Sequence, residues 1–157
     1  MTKPLRSMER VASAARDAGL AIKIVEMAQS TRTAQEAADA AGCDVAQIVK
    51  SLVFERADDK TLVLVLVSGV HNADMKRLAQ HFGCTLNRAD PRKVRDVTGF
   101  AIGGVSPIGH LSPLPVAMDE TLLDHKTVWA AAGKPTAVFE CDPRQLAEIC
   151  SASVIGV

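Results

Sequence analysis

Hydrophobic and polar positions alternate along this chain in two distinct rhythms. Met8, Val11, Ala12, Ala15 and Ala18 recur at helical spacing, which predicts a first helix from about Leu5 to Ala18, stopped by Gly19. From Ala21 to Met27 the rhythm changes to alternation with β-branched residues, a strand. Thr33 and Glu36 form a capping box for an alanine-rich helix that Gly42 closes. Asp44 caps one more turn before the strand Ile48–Glu55. After the Asp58-Asp59 turn, "KTLVLVLVSG" is almost unbroken apolar sequence, expected of a strand covered on both faces.

Asp74 and Gly83 bracket a helix ending near Phe82, and Pro91 opens another reaching Val97. Short strands are expected near Val116–Met118, Thr127–Ala131 and Thr136–Glu140, followed by a helix from Pro143 to about Ile149. No repeat or linker interrupts this order, so residues 1–157 read as one domain. Hairpin-like strand pairs mixed irregularly with helices predict an α+β fold, its mixed sheet curled or barrel-like.

Composition narrows the functional classes. Only four Phe, one Trp and no Tyr stand among 157 residues, too few rings for a base-stacking platform. Formal net charge is zero, but Lys76, Arg77, Arg88, Arg92, Lys93 and Arg95 face a single acid, Asp90, within one stretch. That is either a solvated helix face or the footprint of a polyanion touched at one end. Four cysteines without CxxC spacing read as free thiols of a reducing, cytoplasmic compartment. No apolar run suits a signal peptide or a membrane span. The four histidines show no metal-ligand spacing, so no metal or cofactor is expected.

Three places could carry chemistry. Lys50 shares strand parity with Ile48, Leu52 and Phe54, so its ammonium either meets an anion or a wet cavity or snorkels out at the strand end. "GFAIGGVSPIGH", Gly99–His110, contains four glycines. It either lets a ligand approach backbone N–H groups or makes a tight crossover. It lacks the Walker and dinucleotide patterns, and Ser106 has no nucleophile-elbow context. "AAAGKP", Ala130–Pro135, is either a hairpin turn or the floor of a small site.

Together "QIVKSLVF", "DMKRLA", "TGFAIGGVSPIGH" and "VWAAAGKPTAVFE" resemble the YbaK/ProX family, aminoacyl-tRNA deacylases related to the editing domain of bacterial prolyl-tRNA synthetases. The resemblance spans roughly Ala21 to Ile149. It implies a free-standing trans-editing hydrolase that cleaves the ester of mischarged aminoacyl-tRNA, tRNA for proline foremost. The wrong amino acid would be small: Ala, Ser, Thr, Cys or 2-aminobutyrate.

It maps the family's essential lysine to Lys50 and its GxxxP loop to Gly103–Pro107. Catalysis would fall to Lys50 with the backbones of Gly103 and Gly104, assisted by the substrate's own 2′-hydroxyl. Val105, Ser106, Pro107, His110, Ala131, Ala132 and Gly133 would line the substrate site. Phe100, Ile102, Val105 and Ile108 would anchor the loop to the core. Some relatives that remove cysteine carry Ser-Gly-Gly where Ala131-Ala132-Gly133 stands. Lys76, Arg77, Arg88, Arg92 and Lys93 would receive the acceptor stem, and prolyl-tRNA synthetase is an implied transient partner. The competing class is a non-catalytic module of the same fold that holds a tRNA end or small ligand.

Overall fold

The longest apolar run settles where the sheet is thickest. In a computed structural model that describes residues 6–27 and 33–157, "LVLVLVS" is a strand with all seven residues buried. Leu62, Leu64 and Leu66 enter the main core, which includes Phe100, Met118 and Phe139. Val63, Val65 and Val67 enter a second cluster with Leu78 and Leu86 on the opposite face. Coverage of both faces is what an unbroken apolar strand requires.

The elements follow in order: α1 (Ser7–Asp17), β1 (Ile24–Glu26), α2 (Ala34–Ala41), β2 (Ile48–Arg56), β3 (Leu62–Ser68), α3 (Met75–Phe82), β4 (Leu86–Arg88), α4 (Pro91–Thr98), β5 (Val116–Asp119), β6 (Val128–Ala131), β7 (Ala137–Cys141), α5 (Pro143–Ile149) and β8 (Ser153–Ile155). The caps expected at Thr33 and Asp74 form, and Asp90 adds another. Thr33 Oγ1 accepts the Glu36 N–H, Asp74 accepts from Lys76 and Arg77, and Asp90 accepts from Arg92 ahead of Pro91. Each satisfies backbone donors that the first helical turn leaves open.

The sheet is mixed, ordered β1-β7-β6-β2-β3-β5-β8, with β4 on the far half of β2. It stays open between β1 and β8 among the described residues. β2–β3, β6–β7, β1–β7 and β2–β4 are antiparallel. β2–β6, β3–β5 and β5–β8 are parallel. The fold is therefore α+β, as the sequence order predicts.

Several expectations change in detail. The first helix begins at Ser7, and Leu5 lies outside the described residues. The Ala21–Met27 strand shortens to three residues. β4, β8 and a 3-10 turn at Glu120–Asp124 are additional. They are too short to carry a readable period; pairing with β2 and β5 defines the two strands, and Asp119 caps the turn. None of the described helices is long and apolar enough to cross a membrane.

Candidate active site

The site begins with an interruption in strand pairing. Gly69 N–H donates to the Ile48 carbonyl, so in the β2–β3 ladder the main-chain groups of Ile48, Lys50, Leu52 and Phe54 point toward β3. Those of Val49, Ser51, Val53 and Glu55 point to the other edge. On that edge β6 pairs only with Ile48 and Val49, and β4 only with Phe54–Arg56. Among the described residues no strand lies opposite 50–53. A cavity of about 340 Å³ occupies the gap, at the small end of the range of roughly 300–1,000 Å³ for ligand sites.

Its walls come from five places: Lys50, Ser51 and Leu52 of β2, Ala130 and Ala131 of β6, Val138 of β7, Ala34 and Ala37 of α2, and Ile102, Gly103 and Val105 of the glycine loop. Parity places Lys50 on the face shared by Leu52 and Phe54, as the sequence predicts. On that face Lys50 stands between the α2 cluster around Ile48 and the α3 cluster around Val67. Its Nζ donates to the carbonyl of His71. Burial pushes the lysine below its usual range, and the Asp119 carboxylate pulls it back.

Asp119 was not foreseen. It is 1 % exposed, and its carboxylate collects donors: Ser68 N–H at 3.0 Å, His71 Nδ1 at 2.8 Å, Thr121 N–H at 3.0 Å and Thr121 Oγ1 at 2.8 Å. Burial pushes Asp119 upward, but the hydrogen bonds from His71, Ser68 and Thr121 prevail and hold it below the usual carboxylate range. An ionised Asp119 fixes the His71 proton on Nδ1. The turn whose carbonyl receives Lys50 is thus tied down by a buried anion. His71 and Asp119 are 48 residues apart, and no local spacing announces the pair.

The glycine loop divides by function. Gly103 lines the cavity with φ +94 and open space where a Cβ would stand. Gly104 packs so close to the Lys134 backbone that a Cβ would lie 3.0 Å from it. Its N–H donates to Ala101 O, while Gly103 and Val105 on either side of it line the cavity. Phe100, Val105 and Ile108 are buried anchors as expected, whereas Ile102 is 57 % exposed at the cavity mouth. A residue flanked by Ala101 and Gly103 at the loop's outermost point has no core to reach.

Of the residues expected around the substrate, Val105 and Ala131 line this cavity and five do not. Ser106 is buried, its Oγ accepting the Ile108 N–H. Pro107 and His110 border a separate recess of about 220 Å³ behind the loop. His110 bonds back to the Ser106 carbonyl, and burial pushes its pKa down. Ala132 is buried in the core, and Gly133 packs on Ser7. These five brace the loops from the rear.

The basic residues lie on separate elements. Lys76 and Arg77 are on α3, Arg88 ends β4, and Arg92 and Lys93 are on α4. Lys93 is bound to Glu55 at 2.8 Å and to the Lys60 carbonyl, and Arg77 lies 3.8 Å from Asp74. Lys76, Arg88 and Arg92 are exposed. Cys141 and Cys150 are pushed up to about 12 by burial, which makes them poor nucleophiles. Among the described residues no three His, Cys, Asp or Glu side chains converge as metal ligands.

Known proteins resemble this chain in sequence and in fold. A protein of Bacillus subtilis, YwhH, itself uncharacterised, is 31 % identical over 131 residues, 83 % of either chain. A proline–tRNA ligase of Moorella thermoacetica is 36 % identical over 74 residues, 46 % of this chain and 12 % of that enzyme. A crystal structure described as a candidate trans-editing enzyme for prolyl tRNA synthetase superposes with a TM-score of 0.90 at 45 % identity, covering 98 % of each chain. Residues 28–149, which carry both β2 and the glycine loop, match the aminoacyl-tRNA editing domain. The chain with a lysine set into a broken sheet edge is therefore a member of the aminoacyl-tRNA editing domain family.

Proposed function

We propose that the cavity receives the 3′ end of a mischarged tRNA, tRNA for proline foremost, and hydrolyses the ester of a small wrong amino acid. One observation carries the reading: Lys50 and Gly103 of the glycine loop line the same small cavity. A fixed cation and backbone N–H donors are what an ester needs as negative charge develops on its carbonyl oxygen.

Water adds to the carbonyl carbon, and the N–H groups of Gly103 and Val105 stabilise the resulting oxyanion. The bond from that carbon to the ribose 3′-oxygen then breaks, releasing the free amino acid and a tRNA with a restored 3′-hydroxyl. The neighbouring 2′-hydroxyl of the substrate relays the proton from water to the leaving oxygen. Lys50 neutralises charge, either on the ester or on the adjacent phosphate. The limited room between Ala130, Ala131 and Val105 favours alanine, serine, threonine, cysteine or 2-aminobutyrate. An apolar wall separates neighbours in size by only about 1–3 kcal/mol. The exposed Lys76, Arg88 and Arg92 would meet the acceptor stem, and a passing encounter with prolyl-tRNA synthetase would deliver it.

The test is deacylation of tRNA for proline charged in turn with Ala, Cys, Ser, Thr, 2-aminobutyrate and Pro, by the wild type and by Lys50→Ala. Turnover of a non-proline ester, lost in the variant, is the expected result. Binding of tRNA without turnover of any ester would overturn the hydrolase reading in favour of a binding module.

A further inference from the structure

Ser51 also lines the cavity, and neither the lysine nor the glycine loop employs it. Ser51 Oγ is buried and has no hydrogen-bond partner among the described residues. The same residue lies where β2 has lost its neighbour, so its main-chain carbonyl points toward the gap between β6 and β4. A buried hydroxyl and a strand carbonyl left open at one residue are costly unless something fills both. Ser51 follows the parity of Val49 and Val53, which pack on the main core, while Lys50 leaves the strand on the other face. The thickness of the sheet therefore separates Ser51 Oγ from the Lys50 ammonium.

We propose that Ser51 is the recognition site for the α-ammonium group of the aminoacyl ester, which donates one hydrogen bond to the Ser51 carbonyl and one to Oγ. This rests on the hydrolase reading above and specifies how the amino-acid end is held. An ammonium carries three donors and no acceptor, the complement of two unpaired oxygens. The bonds are charge-assisted, and the cavity shields them from water. The contact draws the amino acid along the unpaired edge as a short extra strand would run, so its carbonyl lies toward Gly103 and its side chain toward Ala130 and Ala131.

The test compares the ester that the wild type turns over fastest with its α-hydroxy analogue, lactyl-tRNA in the case of alanyl-tRNA. The analogue keeps shape and ester but replaces the ammonium with a hydroxyl. For Ser51→Ala, kcat/KM on the aminoacyl ester falls tenfold or more, as expected for a lost hydrogen bond to a charged group, and the aminoacyl-to-hydroxyacyl ratio drops about fivefold or more. The variant melts at or above the wild-type temperature, because an unpaired buried hydroxyl has been removed.

An unchanged ratio overturns the proposal while leaving the hydrolase reading intact. A clear loss of melting temperature also overturns it, since the hydroxyl would then be structural. No wild-type turnover of any aminoacyl ester overturns the hydrolase reading and this proposal with it.

Discussion

Replacing Asp119 with asparagine tests whether the buried carboxylate organises the Lys50 side of the site. Two donors meet each oxygen: Ser68 N–H and His71 Nδ1 at Oδ2, Thr121 N–H and its hydroxyl at Oδ1. An asparagine amide can accept at one position only. If its NH2 replaces Oδ1, the Thr121 hydroxyl can turn to accept, but the Thr121 N–H faces another donor. If it replaces Oδ2, His71 can change tautomer, and the Ser68 N–H is left stranded. Either way at least one backbone N–H loses its partner, at about 1–3 kcal/mol.

For a chain of this length that is a fall in Tm of roughly 3–10 °C at pH 7. The sign of the pH dependence follows from the lowered pKa of Asp119. A carboxylate depressed in the folded state contributes stability above its unfolded pKa and loses it as pH falls through the folded value. The gap between wild type and Asp119→Asn therefore narrows as melts are repeated toward pH 3. An unchanged Tm at pH 7, or a deficit that keeps its full size in acid, would refute the account.

Three further outcomes are expected. Lys50→Met abolishes ester turnover yet raises Tm at neutral pH, because burial lowers the lysine pKa and opposes the charged form; the gain fades at alkaline pH as wild-type Lys50 deprotonates, which thermal melts across pH will show. Gly104→Ala drives a Cβ against the Lys134 backbone and costs about 1–3 kcal/mol, read by urea unfolding, with activity falling as the loop is displaced. Paired Lys76→Glu and Arg88→Glu changes raise KM with little effect on kcat and flatten its salt dependence; a kcat effect instead would place them in the chemistry.

Local pattern made much of the fold legible. Capping residues marked the helix starts, and the unbroken run Leu62–Val67 announced a strand covered on both faces. Parity alone put Lys50 on the face with Leu52 and Phe54. The gap that makes room for a ligand was not legible, because it depends on where two distant strands, β4 and β6, stop pairing with β2. His71 looked scattered for the same reason: its acid arrives from the end of β5. The resemblance sets Val105, Ser106, Pro107 and His110 together at the substrate, but a loop has two sides. Val105 faces the cavity, while Pro107 and His110 look out behind it, a distinction that spacing along a non-repeating segment cannot encode.

Arg10 of α1 donates to Gly99 O and to Gly109 O, its guanidinium lying 4.9 Å from the centre of the Phe100 ring. One side chain thus closes the ten-residue span of the glycine loop into a ring, and a Cβ at Gly109 would meet the Arg10 backbone at 3.1 Å. The loop is thereby tied to α1, and loosening of that helix on warming is expected to reach the glycine loop. Activity should then fade on warming before the sheet melts. The N-terminal helix, though it lies outside the segment that matches the editing domain, is part of the physical support of the glycine loop.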